Sequence, residues 1–499
     1  MTRQFYTIDA YGGHAQLYRL LPFRFTRIDS EELIVNEAGE FLFVPNGTVE
    51  ALIRHRFPPN TPLYQTLKAK QFLFDGESSP NLDLLATKYR TKKSFLDGFT
   101  RLHIMVLTLR CEHSCLYCQV SRQTADRAAY DMSRETVLRS LALAMRSPST
   151  HITLEFQGGE PLLAFDLLQF VVGNAKDLAA RNGKILSLVV ATNLAPATDE
   201  MLRYLRDENI MVSTSLDGPA FIHNANRPRI GNDSYELTIR NIKRARDYVG
   251  TENVSALMTT TQLSLKHPRE IVDEFILQGF RSIFLRSISP YGFATKTARR
   301  TGYEPGDFLG FYRTALDYII SLNKEGTYLV ENYAKILLTK ILTPYPTGYV
   351  DLQSPAGAGI SVRVYNYDGD VYASDEGRML AETGDRTFRL GNVHRDTHTS
   401  LIESPAFPYL IAGSCNESLP GCADCAFQAY CGADPVFHHS TQGDAIGHRP
   451  TSAFCQKNMG IITLLFRKLR SADRDLNRVF FSWIQDHAHS CIPVQAQCD

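Results

Sequence analysis

Between residues 102 and 288, hydrophobic positions follow two alternating patterns. Short, nearly continuous apolar runs predict buried β-strands, and the amphipathic stretches between them predict helices. The apolar runs are LHIMVLTL (102–109), HITLEFQ (151–157), ILSLVVAT (185–192), IMVSTSL (210–216), VSALMTTT (254–261) and SIFLRSI (282–288). Strands that alternate with helices form a parallel sheet covered on both faces. Because six units are too few for a closed eight-fold barrel, we predict an α/β fold with a partial (β/α)6 barrel, whose chemistry lies at the carboxyl ends of the strands.

Residues 1–98 have a different pattern, in which the strands come first and the helices follow. FRFTRID, ELIVN and EFLFVP are rich in β-branched and aromatic residues, whereas NGTVEALIRHRF and TPLYQTLKAKQFLF begin at good helix caps. This order predicts a winged-helix-like α+β domain. The basic stretch KYRTKK (88–93) is predicted to be a solvated linker, because so short a charge run is a weak indication of nucleic-acid binding.

The pattern changes again in the last third of the chain. Residues 307–343 are predicted to be helical, and the Gly-rich segment after them has a hairpin signal at Asp368-Gly369. A cysteine-rich segment follows, and one last helix is predicted over 457–487.

Charge and hydropathy exclude several classes of protein. The 53 basic residues balance the 53 acidic ones, so bulk charge does not indicate a polyanion-binding surface. We find no uninterrupted apolar run of ~18 residues and no apolar export segment near the start. The sequence therefore predicts a cytoplasmic protein with no nucleic-acid partner and no membrane partner.

The first group of cysteines follows the first predicted strand. Cys111, Cys115 and Cys118 have the spacing C-x3-C-x2-C, and a reducing cytosol favours metal or catalytic roles over disulfides. Three thiolates can hold three corners of a [4Fe–4S] cube and leave the fourth iron open. A three-cysteine zinc site and a structural group of thiols are the alternatives. Cys491 and Cys498 lie in a polar tail and are predicted to be solvent-exposed thiols.

Polar and glycine residues follow the other predicted strands. Gly158 and Gly159 would expose backbone at a ligand, and the carboxylate of Glu160 can accept a hydrogen bond from an ammonium group. Asn193 and Ser215 end the third and fourth strands, although Asn and Ser are also ordinary turn residues. Because parallel strands end at one edge of the sheet, we expect these residues to meet at one mouth.

These motifs resemble those of radical S-adenosylmethionine (SAM) enzymes. The cysteine spacing, with Tyr117 before the last cysteine, is similar to the cluster motif of that family, and FQGGEP is similar to its GGEP motif, which binds the SAM amino group. The resemblance implies a [4Fe–4S] cluster with an open site, SAM as cofactor, and reductive cleavage of SAM to a 5′-deoxyadenosyl radical that abstracts hydrogen. The cofactor-binding residues that it implies are Tyr117, Gly158, Gly159, Glu160, Asn193, Ser215 and Arg227.

A second group of cysteines supplies enough thiolates for another cluster. Cys422, Cys425, Cys431 and Cys455 resemble part of the SPASM extension of radical SAM peptide maturases, whose full form has seven cysteines for two auxiliary clusters. The resemblance implies one auxiliary [4Fe–4S] cluster held by these four. A structural zinc site with four cysteines is the alternative, because tetrahedral sulfur also suits zinc.

Three cysteines of the full SPASM pattern are absent. The resembling family has them near Ala356, at Ser374 and at Pro435, and it assigns them to the first auxiliary cluster. We therefore predict that only the second auxiliary cluster is present. Cys415 is either a spare thiol or a substitute ligand.

The order of strands and helices in residues 1–98 resembles the PqqD-like peptide-recognition domain of enzymes that modify ribosomally made peptides. In that binding mode a leader peptide adds a strand to a sheet edge. A DNA-binding module and a purely structural module are the alternatives. The resemblances imply a PqqD-like domain (1–98), a radical SAM core (99–343), a SPASM-like auxiliary cluster domain (344–460), and a C-terminal helix and tail (461–499).

Longer phrases are most similar to the maturase of His-Xaa-Ser repeat peptide systems. They are KSFLDGFTRLHIMVLTLRCEHSCLYCQVSR, CAFQAYCGADPVFHH and GDAIGHRPTSAFC. This resemblance implies cross-linking of side chains in a precursor peptide, with a flavodoxin- or ferredoxin-type reductant. The alternatives are a formylglycine-forming sulfatase-type maturase and a non-catalytic iron–sulfur or zinc regulator.

Overall fold

The computed structural model describes residues 18–59, 61–75 and 80–490, which form two compact units. The smaller unit comprises the described residues of Met1–Lys93, Lys340–Pro346 and Asp424–Tyr430. The larger unit comprises those of Ser94–Thr339, Thr347–Ala423 and Cys431–Asp499. The predicted core and the predicted SPASM-like segment thus fall largely in one unit. The predicted domain boundaries stay predictions. Cys491 and Cys498 lie outside the described residues.

Strands and helices are numbered here in chain order. The strands are β1 (Arg19–Leu20), β2 (Phe23–Ile28), β3 (Glu31–Asn36), β4 (Phe41–Pro45), β5 (Leu73–Phe74), β6 (Leu102–Thr108), β7 (His151–Gly158), β8 (Ile185–Ala191), β9 (Ile210–Ser215), β10 (Val254–Thr259), β11 (Ser282–Ile283), β12 (Leu285–Arg286), β13 (Val330–Glu331), β14 (Val362–Tyr365), β15 (Asp370–Tyr372) and β16 (Arg389–Asn392). The helices are α1 (Thr48–Ile53), α2 (Pro62–Ala69), α3 (Pro80–Lys92), α4 (Arg127–Tyr130), α5 (Arg134–Ala144), α6 (Phe165–Arg181), α7 (Asp199–Asp207), α8 (Ala220–Asn226), α9 (Ser234–Val249), α10 (Pro268–Leu277), α11 (Ala294–Thr301), α12 (Pro305–Lys324), α13 (Asn332–Leu342), α14 (Asp375–Ala381), α15 (His398–Ile402), α16 (Ala406–Ala412), α17 (Pro435–Gln442), α18 (Ala453–Arg470) and α19 (Arg474–Ser490).

The central sheet of the larger unit contains the six predicted strands. Its order is β12-β10-β9-β8-β7-β6-β14-β15-β16, and the pairs from β6 to β12 are parallel. Strand β6 is almost wholly buried, whereas every second residue of β7 is buried, because side chains of a strand alternate between its faces. The prediction of an α/β fold with a partial barrel is confirmed.

The segment after the barrel extends the same sheet. Strand β14 pairs in parallel with β6, and the hairpin β14–β15 turns at Asp368-Gly369, where Gly369 has φ +86°. Ile104 and Val106 of β6 pack with Val362 and Val364 of β14 in one apolar cluster. This packing fixes the first strand, and therefore the cysteine loop that follows it, from the side opposite β7.

The smaller unit has an antiparallel sheet in the order β2-β3-β4, followed in the chain by helices. That is the order predicted for residues 1–98, while the identification of a winged-helix-like domain stays a prediction. The prediction of a linker at 88–93 is wrong, because most of this basic stretch forms the end of α3. Lys88 Nζ donates to Glu40 Oε1 at 2.6 Å and to Gln71 Oε1 at 2.8 Å, so the chain itself supplies acceptors for that lysine.

Two predicted helices are each interrupted. Gly326, at φ +98°, follows the end of α12, and the short strand β13 separates α12 from α13. The last predicted helix begins earlier, because Ser452 Oγ caps α18 by accepting from Cys455 N at 3.2 Å. It then breaks before Asp473, whose Oδ1 accepts from Leu476 N at 3.1 Å and so favours a new helix start. In the described part of the chain no helix is long and apolar enough to cross a membrane.

Candidate active site

A cavity of about 220 Å³ lies at the carboxyl ends of the parallel strands, where the fold places its chemistry. The cysteine loop after β6 forms one wall, and the ends of β8, β9, β10 and β12 form the others. Its lining includes Cys111, Cys115, Tyr117, Cys118, Gly159, Thr192, Asn193, Ser213, Thr214, Ser215, Arg227, Thr259 and Arg286. The structure thus brings together the three predicted cysteines and most of the predicted cofactor-binding residues.

The cysteine loop is held by backbone hydrogen bonds to the end of α8 and to the segment after it. Ser114 N donates to Pro228 O at 2.8 Å, and Leu116 N donates to Asn226 O at 3.0 Å. Each of these donors lies beside one of the cysteines that line the cavity. The positions of the thiols therefore depend on backbone that lies more than 100 residues away in the chain.

An ion pair fixes the start of the same loop. Arg110 donates to both carboxylate oxygens of Asp131, at 2.7 and 2.8 Å, and Arg110 Nη2 also donates to Leu163 O at 2.7 Å. A two-pronged arginine–carboxylate contact orients both side chains. Because Arg110 directly precedes Cys111, this contact sets where the first thiol enters the cavity.

The chemistry of the three thiols fits a metal cluster. Burial raises the pKa of the Cys111 thiol far above its usual range and that of Cys115 to about 12. These thiols therefore stay neutral near pH 7 until a metal ion displaces their protons. Three sulfur donors around one cavity suit an iron–sulfur cluster with an open site.

A metal site that combines cysteine, glutamate and histidine ligands from the same loop fits less well. One ligand atom each from Cys111, Glu112 and His113 lie within 4.8 Å of one another. However, His113 is buried, and its ring nitrogens already contact Glu112 Oε1 at 3.0 Å and Ser234 Oγ at 2.9 Å. Both nitrogens of the histidine therefore have protein partners.

Gly158 and Gly159 allow two backbone segments to meet. A Cβ added at Gly158 would lie 2.1 Å from Thr108 O, and one added at Gly159 would lie 2.2 Å from Arg110 O. Gly159 also borders the cavity, whereas Gly158 does not. The close approach is to the end of β6 and to the start of the cysteine loop, and exposure of either glycine's backbone to a ligand stays a prediction.

Glu160 is wholly buried and does not border the cavity. Its carboxylate accepts from Thr192 Oγ1 at 2.6 Å, Asn193 N at 2.8 Å and Leu162 N at 2.9 Å. Burial, with a smaller contribution from the charge of Glu112, raises the pKa of Glu160 to about 8. The carboxylate joins the end of β7 to the end of β8, and its contact with the SAM amino group stays a prediction.

Tyr117 and Arg227 meet at Asp217, a residue that the sequence analysis did not select as a site residue. Tyr117 Oη donates to Asp217 Oδ2 at 2.6 Å, and Arg227 Nε donates to the same oxygen at 3.0 Å. Arg227 also lies over the Tyr117 ring, 5.2 Å from its centroid. The guanidinium therefore has a carboxylate of the chain as its partner at the edge of the cavity. The sequence signal that could have identified Asp217 is its position in SLDGP, at the end of the fourth predicted strand.

Asn193 and Ser215 border the cavity as predicted from their strand-end positions. Asn193 Nδ2 lies 3.8 Å from Cys111 Sγ, which links the third strand end to the first thiol. Contact of either residue with a cofactor stays a prediction. Thr259 and Arg286, at the ends of β10 and β12, also line the cavity. Neither belongs to a recognised sequence motif, so no signal in the sequence identified them.

The second group of cysteines is divided between the two units. Cys422, Cys431 and Cys455 belong to the larger unit and Cys425 to the smaller, so the four-thiol site stays a prediction.

The three positions without cysteine have other structural roles. Ala356 is buried in an apolar cluster with Leu419 and Ala433. Ser374 caps α14 by accepting from Gly377 N at 3.1 Å, and Pro435 is the first residue of α17. The absence of the first auxiliary cluster stays a prediction.

Residues 105–275 match the family described as the radical SAM superfamily. The chain is 24% identical over 300 residues to a cysteine-type anaerobic sulfatase-maturating enzyme of Clostridium perfringens, covering 59% of this chain and 77% of that one. It is 30% identical over 179 residues to an uncharacterised protein of Methanothermobacter thermautotrophicus, covering 36% of this chain. That match spans 64% of the relative's length.

Two solved structures have a similar fold. Native anSMEcpe with bound AdoMet and the Cp18Cys peptide superposes with a TM-score of 0.63 at 19% identity, over 76% of this chain and 99% of that one. SuiB of Streptococcus suis, bound to the precursor peptide SuiA, superposes with a TM-score of 0.51 at 13% identity, over 87% and 98% of the two chains. Residues 105–275 therefore form a radical SAM domain by their match to the family model, and members of that superfamily use a [4Fe–4S] cluster and SAM.

Proposed function

We propose that this protein is a radical SAM maturase that modifies, and cross-links, side chains of a ribosomally made precursor peptide of the His-Xaa-Ser type. The observation that carries the proposal is the cavity into which Cys111, Cys115 and Cys118 face at the carboxyl ends of β6 to β12. When bound, the cluster and SAM supply a 5′-deoxyadenosyl radical that removes hydrogen from an unactivated carbon.

The chain's own residues hold and shield that chemistry. The two-pronged contact of Arg110 with Asp131 and the buried Glu160 carboxylate keep the ends of β6, β7 and β8 in fixed relation. Asp217 keeps Arg227 and Tyr117 at the rim of the cavity, where a positive charge attracts a carboxylate. Gly159 has no side chain, which allows the backbone of the cysteine loop to pack against it beside the cavity.

The anaerobic sulfatase-maturating relatives support a peptide or protein substrate, as does the similarity of fold to SuiB. The absence of cysteine at positions 356, 374 and 435 distinguishes this chain from enzymes with the full SPASM pattern, which use those positions for a first auxiliary cluster. The remaining four cysteines, Cys422, Cys425, Cys431 and Cys455, would hold the single auxiliary cluster, which accepts an electron or binds substrate. The electron for SAM cleavage would come from a flavodoxin- or ferredoxin-type protein.

The smaller unit is the proposed site for the leader of that peptide. Its sheet ends in β2 on one edge and β4 on the other, and a leader peptide would add a strand to such an edge. Hydrogen exchange of the anaerobic protein with and without precursor peptide tests this role. We expect slower exchange of edge-strand amides on adding peptide; unchanged exchange throughout β2 and β4 would contradict leader binding there.

Co-expression with a candidate precursor tests the reaction itself. Each cross-link removes two hydrogen atoms and joins two residues, so tandem mass spectrometry should find a mass decrease and a gap in fragmentation between the joined residues. Formylglycine formation from serine removes the same two atoms, but its aldehyde reacts with a hydrazide probe. A product that reacts with the probe and fragments normally would favour the sulfatase-type alternative.

A further inference from the structure

A second cavity, of about 60 Å³, shares Arg286 with the first one. It lies between the end of β12, the starts of α14 and α17, and the first turns of α18, all within the larger unit. One water molecule needs about 10–15 Å³ of such space, so the cavity has room for a group of several heavy atoms. Three carboxyl side chains line it, those of Asp351, Glu376 and Asp434, and we call it the acid cavity.

The acid cavity holds three acidic groups and only two basic ones, Arg286 and Lys457. Lys457 Nζ donates to Ser287 Oγ at 3.2 Å and lies 5.6 Å from the centroid of the Tyr333 ring. Within residues 18–59, 61–75 and 80–490, none of the three carboxylates has an ion-pair partner within 4.0 Å. With every group ionised, the lining carries one negative charge in excess.

Burial and the neighbouring carboxylates both disfavour ionisation of these groups, so a further positive charge would stabilise their ionised forms. Burial, with a smaller contribution from the charge of Asp351, raises the pKa of Glu376 to about 8. Burial likewise raises the pKa of Asp434 to about 7. A cation beside these groups would remove much of the unfavourable free energy of their ionised forms.

Tyr291 provides a second and independent observation. Its side chain lines the acid cavity and is 2% exposed, yet its hydroxyl has no hydrogen-bond partner among the described residues. Buried hydroxyl groups in folded proteins nearly always have a partner. An unpaired hydroxyl facing a cavity indicates a polar ligand there.

The remaining lining also suits a cation. Seven of the residues that line the acid cavity are aromatic, and ring faces attract positive charge. Glu376 and Asp434 lie within two residues of Ser374 and Pro435, so carboxylates border the positions where cysteines are absent.

We propose that the acid cavity binds a positively charged side chain of the peptide substrate, through the carboxylate of Glu376 and the hydroxyl of Tyr291. This inference rests on the proposed function, and it adds a requirement for a basic residue in the substrate. Because Arg286 borders both cavities, a peptide with a basic side chain in the acid cavity would lie next to the cofactor cavity.

Methylguanidinium and methylurea form a matched pair of probes, because they have the same shape and differ in charge. Titration calorimetry on the anaerobic, reconstituted protein should give saturable binding of methylguanidinium and at least ~10-fold weaker binding of methylurea. Glu376→Gln should weaken methylguanidinium binding by about 10- to 100-fold, and Tyr291→Phe should weaken it several-fold. Glu200→Gln, at an exposed position on α7, is the control and should leave binding unchanged.

Three results would overturn the inference: no binding of methylguanidinium, equal binding of both probes, or binding that is unaffected in both Glu376→Gln and Tyr291→Phe. If Glu376→Gln fails to fold, unchanged methylguanidinium binding in Tyr291→Phe alone would overturn the inference. Formation of 5′-deoxyadenosine from SAM, measured on the same wild-type preparation, tests the proposed function separately. Failure of cation binding in the acid cavity can therefore be distinguished from failure of the proposed function.

Discussion

Asp217 determines the arrangement of the side chains at the rim of the cofactor cavity. It is wholly buried, and its carboxylate accepts from Tyr117, Arg227 and Thr259 N. Asp217→Asn leaves the Arg227 guanidinium without its charged partner, so the free energy of unfolding should fall by about 3–5 kcal/mol. Urea denaturation measures this loss, and equilibrium dialysis should find weaker SAM binding.

The control for Asp217→Asn is Asp207→Asn. Asp207 pairs with Arg206 at 2.7 Å, but both side chains are more than half exposed. Removing that pair should change the free energy of unfolding by about 0–1 kcal/mol, because surface ion pairs contribute little. Equal losses in the two variants would contradict the role given to Asp217.

Glu376 should make stability depend on pH. Its pKa is raised to about 8 by burial, so the folded protein keeps a proton that the unfolded chain releases above about pH 4.3. Stability should therefore fall as pH rises from about 5 to 8 and level off above that. Thermal unfolding of wild type and Glu376→Gln across this range measures the effect: the Tm of wild type relative to the variant should decrease with rising pH, and a constant difference would contradict the assignment.

At the scale of elements, the contact between the end of β7 and the cysteine loop leaves no space for a side chain. A Cβ at Gly159 would lie 2.2 Å from Arg110 O, so Gly159→Ala must displace the loop that carries the thiols. We expect a loss of about 1–3 kcal/mol in stability and incomplete cluster assembly, measured by urea denaturation and iron analysis. Gly173→Ala is the control: its Cβ meets nothing within 4 Å in the middle of α6, and it should stabilise the protein by about 0.5–1 kcal/mol.

The order of strands and helices could be predicted from the sequence in part. The order of apolar runs predicted the parallel strands correctly, because buried strands and amphipathic helices have distinct periods. It did not predict the breaks after Gly326 and before Asp473, since both flanking segments are amphipathic and only a local turn separates them. The cysteine spacing located the thiols of the cavity. Arg286 lines the cavity, and Asp217 holds two of its lining residues, only through the parallel pairing of strands distant in the chain.

In the whole molecule, two separate groups of thiols are expected to hold iron. Full reconstitution should give about eight irons per chain, four for each cluster. Ala replacement of Cys422, Cys425, Cys431 and Cys455 should leave about four irons and retain SAM cleavage without peptide. Zinc retained by this group in place of iron would contradict an auxiliary cluster and favour a structural zinc site.

Whether Cys111, Cys115 and Cys118 form the site of SAM cleavage is tested most directly by replacing all three with Ala. Formation of 5′-deoxyadenosine by the reduced, reconstituted variant is then measured. The wild-type protein should release the nucleoside from SAM. The triple variant should release none and should keep about four irons in its other cluster. Nucleoside formation at the wild-type rate by the triple variant would contradict the assignment of these thiols to the site of SAM cleavage.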